Sequence, residues 1–121
     1  MADTVPVYDS GVAPTYQASA DVTGGQLVAV SGDGTVAPAA AASTKWVGTA
    51  GFDAKAGESV TVYKGGVQRA TASGAITAGD MVTSAASGRV ATNATPGAGQ
   101  QVAVAVSTAA DGETVELDMV R

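Results

Sequence analysis

Val22-Thr23-Gly24-Gly25-Gln26-Leu27-Val28 returns 54 residues later as Ile76-Thr77-Ala78-Gly79-Asp80-Met81-Val82. Gly34-Thr35-Val36-Ala37 matches Gly88-Arg89-Val90-Ala91 at the same offset. After one inserted residue the offset becomes 55. Val47 then falls on Val102, Ala50 on Ala105, Gly57-Glu58 on Gly112-Glu113, and Val60 and Val62 on Val115 and Leu117. Run backwards, Val5-Pro6-Val7-Tyr8 matches Val60-Thr61-Val62-Tyr63, and Gly11-Val12 matches Gly66-Val67. An ordered series of glycines and valines over this length reads as two copies of a unit of about 55 residues.

Two copies are too few for a solenoid. The pattern predicts an all-β fold: a small β-sandwich or barrel, β-clip-like, made of two pseudo-symmetric halves after an extended N-terminal segment. Residues 1–20 carry Pro6, Gly11 and Pro14 and read as an arm or an edge strand, where proline is tolerated. Residues 21–121 read as one β domain with halves at 21–74 and 75–121.

Local signals agree with strands and turns. Val115-Glu116-Leu117-Asp118-Met119 alternates apolar and acidic, the period of a half-buried strand. Val102-Ala103-Val104-Ala105-Val106 is apolar throughout, with Val on one face and Ala on the other, as expected of a central strand. Gln26–Val30 and Thr35–Ala37 flank Ser31-Gly32-Asp33-Gly34, a hairpin signal. Met81–Ser84 and Arg89–Ala91 repeat it around Ser87-Gly88. Val60–Tyr63 and Val67–Ala70 flank Lys64-Gly65-Gly66 and predict a further hairpin. Ala39–Ala42 predicts at most one helical turn, because its counterpart near Pro96-Gly97 cannot be helical.

Composition bounds the chemistry. Of 121 residues, 26 are Ala and 18 are Val, while Leu, Ile and Phe together number four. Alanine buries little area, so the core is expected to be thin and to rely on neighbours. The chain has no Cys and no His, which removes thiolate chemistry, disulfides and the commonest general base and metal ligand. No metal site and no cofactor are expected. A net charge of −5 with six basic residues argues against nucleic acid. No apolar run is long enough to cross a membrane. The first residues lack the basic and apolar regions of a secretory signal, so folding in a cytoplasm is expected.

Candidate motifs reduce to structural ones. Gly24-Gly25-Gln26 spells a tripeptide with ester-hydrolysing uses, but the second copy has Ala78-Gly79-Asp80, so a turn explains both. Asp33-Gly34-Thr35 lacks the alternating oxygen ligands of a calcium loop. Glu116 and Asp118 lie on the solvent face of a strand, and with Asp111 and Glu113 form an acidic cluster of ordinary surface character. Asn93-Ala94-Thr95 has the form of a glycosylation acceptor with no export signal before it. Ser43-Thr44-Lys45 gives no Ser–Lys pair, because adjacent strand residues face opposite ways. No catalytic residue is identified, and the chain is read as a non-enzyme.

The aromatics are asymmetric. Tyr8, Tyr16, Trp46, Phe52 and Tyr63 all fall in the first 63 residues. Trp46 and Phe52 align with Gln101 and Ser107. Lying six apart, they would share a face on one strand. Either they make the core lopsided toward the first half, or they mark a surface for association, where such residues anchor.

The Val/Ile-Thr-Ala/Gly-Gly-Asp/Gln-Leu/Met-Val turn and strand, the Gly-x-Val hairpin, the Ala-rich link and the valine strand before Gly112-Glu113-x-Val115 resemble the small capsid decoration (cement, head-stabilising) proteins of tailed bacteriophages. The resemblance spans about residues 20–120. It implies a β-rich fold on the outside of an assembled head, frequently as trimers, with the major capsid protein as partner. It also implies an N-terminal arm, here Ala2 to about Ala20. The match of Val5–Tyr8 to Val60–Tyr63 would instead place those residues in the folded domain.

On this reading the protein is a clamp that bridges capsid subunits against the pressure of packed DNA. An acidic clamp suits a basic capsid rim. Tyr8, Tyr16, Trp46 and Phe52 are the candidate apolar anchors, and Lys64, Arg69 and Arg89 the candidate ion-pair partners. It would be built in the host cytoplasm and reside on the virion exterior. The alternative is a β-clip module binding carbohydrate or peptide on a spike or tail appendage.

Overall fold

The computed structural model describes residues 14–120. Its strands are β1 (Thr15–Ala18), β2 (Leu27–Gly32), β3 (Thr35–Pro38), β4 (Trp46–Ala50), β5 (Ser59–Tyr63), β6 (Val67–Thr71), β7 (Met81–Ala85), β8 (Arg89–Thr92), β9 (Gln101–Ala105) and β10 (Thr114–Met119). One 3-10 turn, Ala86–Gly88, joins β7 to β8. The fold is all-β.

The first five strands close into a barrel in the order β1-β3-β2-β4-β5. β1 closes it by running parallel to β3, with Ala18 opposite Val36, and antiparallel to β5. The last five strands form a sheet in the order β6-β10-β9-β7-β8. Its two ends, β6 and β8, meet at a parallel bridge from Ala72 to Val90. These residues lie 54 positions beyond Ala18 and Val36.

Several contacts among the first five strands have counterparts 54 or 55 positions later. The bridge from Val22 to Ala54 has its counterpart from Ile76 to Ala109. Gly25 N donates to Ala50 O at 2.8 Å, and Gly79 N to Ala105 O at 2.7 Å. Gln26 Oε1 accepts from Thr23 N, and Asp80 Oδ2 from Thr77 N. A side-chain oxygen caps the turn in both units, which is why Gln and Asp are interchangeable there. Glu58 and Glu113 do the same for Lys55 N and Ala110 N.

The β4 and β9 strands share a bulge. Val28 pairs with Gly48 and Ala29 with Trp46, skipping Val47. Val82 pairs with Ala103 and Thr83 with Gln101, skipping Val102. An extra residue resets the inside–outside alternation. This corrects the expectation of a valine face on 102–106: Val102 is fully buried, while Val106 beyond the bulge is 48% exposed. Gly48 is needed beside the bulge, because a Cβ there would collide with the Tyr63 carbonyl.

The core has two clusters. One fills the first barrel: Ala18, Val22, Val28, Val36, Ala50, Ala54, Val60 and Val62. Each has an apolar counterpart 54 or 55 residues on in the second cluster. That second cluster also takes in Leu27, Ala29, Ala39 and Trp46 from the first unit. These four form the seam that welds the units together.

Two sequence expectations are corrected. Lys64-Gly65-Gly66 makes no hairpin, since β5 pairs with β1 and β4 while β6 pairs with β10. Its glycines, at φ 70° and 65°, carry the chain from one unit to the next. From Val67 onward the chain already pairs within the second sheet. Thr15–Ala18 is not an edge strand, because it is paired on both sides.

Candidate interaction surface

The seam leaves an open groove of about 520 Å³ on one side of the molecule. Tyr63, ending β5, and Val67, opening β6, stand at its wall, 51% and 64% exposed. The Tyr63 ring lies against Gly51: a Cβ on Gly51 would be 2.7 Å from ring carbon Cε2. Only a residue without a side chain lets the ring sit there. Gln68 reaches from β6 to the Thr49 hydroxyl and donates to Gly65 O at 2.9 Å. Lys64 lines the groove half-buried. Arg69 and Glu116 line it as an ion pair of 3.5 Å across β6 and β10, their side chains 75% and 46% exposed. The groove thus offers an aromatic wall, an amide and both signs of charge.

The sequence-named residues divide. Lys64 and Arg69 come together in this groove. Arg89 does not: it lies in a smaller depression with Gln26, Thr71 and Ser87. Phe52 is 49% exposed. It follows the end of β4 on a turn against Gly24, whose added Cβ would be 3.1 Å from Phe52 Cα. Tyr16 is half-buried against the barrel core. Tyr8 lies outside the described residues.

Trp46 is not a surface anchor. It is 1% exposed, and its Nε1 donates to Gly99 O at 3.2 Å across the seam. Nor does it share a face with Phe52, since the bulge and the end of β4 intervene. The exposed apolar residues of the groove, Tyr63 and Val67, are not among the contact residues named from the sequence. Tyr63 could have been found from strand alternation: with Val60 and Val62 inward, Tyr63 ends β5 exposed.

The acidic residues 111, 113 and 116 act locally. Asp111 Oδ1 accepts from Gly74 N at 2.7 Å, Glu113 caps its own turn, and Glu116 pairs with Arg69.

Comparison with known proteins gives the scaffold a context. No curated protein matches the chain in sequence. The chain is similar in structure to the N base of the head fiber gp8.5 of bacteriophage phi29. The TM-score is 0.73 at 24% identity, over 89% of this chain and 92% of that one. At that identity the likeness speaks for the fold. A family model described as phage cement protein matches residues 7–120, nearly the whole chain, and the protein belongs to the phage cement protein family.

Proposed function

We propose that this protein binds the outer surface of the assembled phage head and stabilises it by bridging neighbouring subunits of the major capsid protein. Membership of the cement family carries the reading. The groove between the units supplies the surface: Tyr63 and Val67 hold apolar area in water at a fixed place on a closed scaffold, as a binding anchor does. Many copies on a connected shell add their modest individual contacts through multivalency. The protein is proposed to be non-enzymatic and to act as a homotrimer, assembled in the host cytoplasm. The matched geometry of the two units supports an origin by internal duplication.

Co-sedimentation with empty mature shells tests this. Wild-type protein pelleting with shells, and Tyr63→Ala protein remaining in the supernatant, is the expected result. Equal pelleting of both would remove the groove from the account. A second reading uses the same groove, since an exposed aromatic beside an amide and an ion pair also suits a sugar or a peptide. Binding to a glycan array by the isolated protein, with none to shells, would favour that module.

A further inference from the structure

We propose that the second unit carries a docking face for a second copy of this chain, repeating between copies the contact that joins the two units within one. This rests on the homo-oligomer proposed above and names its surfaces.

Within the chain, the seam has a covered side and a covering side. The covered side is a row across the first unit, Ala39–Leu27–Thr49, set by Ala39 N donating to Leu27 O and by Leu27 pairing with Thr49. These residues are 1%, 0% and 4% exposed. Over Ala39 and Leu27 the covering side is the β7–β8 hairpin, while the Thr49 hydroxyl is met by Gln68 of β6. Ala42 N donates to Ser84 O at 2.8 Å, Gly88 N to Ala39 O at 2.9 Å, and Gln26 Nε2 to Ser87 O at 2.9 Å. Gly88 presses so close that a Cβ there would be 2.8 Å from Leu27 O.

Both sides exist a second time, and there no described residue covers them. The equivalent row on the second unit is Asn93–Met81–Val104, with Asn93 N donating to Met81 O and Met81 pairing with Val104. Met81 is 36% exposed, and Asn93 and Val104 are half-buried. The equivalent hairpin on the first unit is β2–β3. Val30 stands where Ser84 stands, and it is 45% exposed. Gly34 has φ 67° against 72° at Gly88, and nothing lies near its absent Cβ.

The free hairpin of one copy therefore fits the free row of the next, with Val30 offering apolar contact in place of the Ser84 hydroxyl. Such a contact is heterologous, so it closes into a ring or runs on as a filament. Three bonds of the template are missing, and Gln101 stands where Trp46 does. Val30 replaces neither the bond that Ser84 Oγ accepts from Ser43 N nor the one it donates to Ala40 O. Asp80, the counterpart of Gln26, has no N–H to give the Asp33 carbonyl that would stand where the Ser87 carbonyl does.

Sedimentation equilibrium of the full chain, with circular dichroism to show that each variant folds, tests the assignment. Wild type should self-associate. Met81→Asp and Val30→Asp should each weaken association by about ten-fold or more. An equimolar mixture of the two should recover a one-to-one complex that grows no further, because each variant keeps the face the other lacks. Asp80→Gln should tighten association by restoring the missing donor. A wild type that stays monomeric throughout, or a mixture that stays monomeric, overturns the inference. Shell binding keeps the two ideas apart. Variants that self-associate unchanged but still pellet with shells defeat the docking face alone. Self-association as described, without shell binding, upholds the face and defeats the capsid role.

Discussion

The indole of Trp46 reaches out of its own barrel and donates its N–H to Gly99 O, 3.2 Å away in the second unit. The largest side chain in the protein is therefore packed in the core cluster of the second unit rather than in that of its own barrel. Trp46→Ala should cost about 3–5 kcal/mol, the usual range for truncating a buried aromatic. Thermal unfolding followed by circular dichroism checks it. Loss of shell binding with an unchanged melting temperature would return Trp46 to the surface.

Gly88 and Gly34 form a matched pair for a second prediction. Both have left-handed backbone, which costs an L-residue roughly 1–2 kcal/mol. Only Gly88 also faces a carbonyl at contact distance. Gly88→Ala should therefore destabilise clearly more than Gly34→Ala. Paired denaturant melts at low protein concentration measure the difference, and equal losses would deny the tight seam.

The turn caps give a third. Gln26 and Asp80 each satisfy one backbone N–H of the turn they follow. Replacing either by Ala should cost about 1 kcal/mol. Gln26→Ala should cost the more, because its amide also donates to Ser87 O across the seam. Denaturant midpoints rank the two.

Arg69 and Glu116 should matter little to stability. Their ion pair is long and solvent-exposed, so Arg69→Ala is expected to change stability by at most about 0.5 kcal/mol. Its effect, if the groove is the binding surface, should appear in salt-dependent shell binding. A large drop in melting temperature would contradict this.

Much of the fold was legible in the sequence because turns repeat. Positions such as Gly25 and Gly79, at φ 90° and 95°, announce the same bend twice. Apolar residues such as Val28 and Val82 announce the same inward face. The bulges at Val47 and Val102 were hidden, since an extra residue leaves no compositional mark and only reveals itself in pairing. The Lys64–Gly66 crossover was hidden for a related reason. Hairpin and crossover use the same glycines, and only long-range pairing of β6 with β10 separates them. Trp46 misled because aromatic content alone cannot distinguish an anchor from a weld between units. Tyr63 was passed over although its strand's alternation pointed it outward.

The most direct test of the capsid role is the mechanical endurance of the head itself. DNA-filled heads lacking the protein should be heated with and without saturating purified protein, and DNA release followed by dye fluorescence. The account predicts release at a higher temperature with wild type, and no such rise with Tyr63→Ala. Release at the same temperature with heads fully occupied by wild type would contradict it.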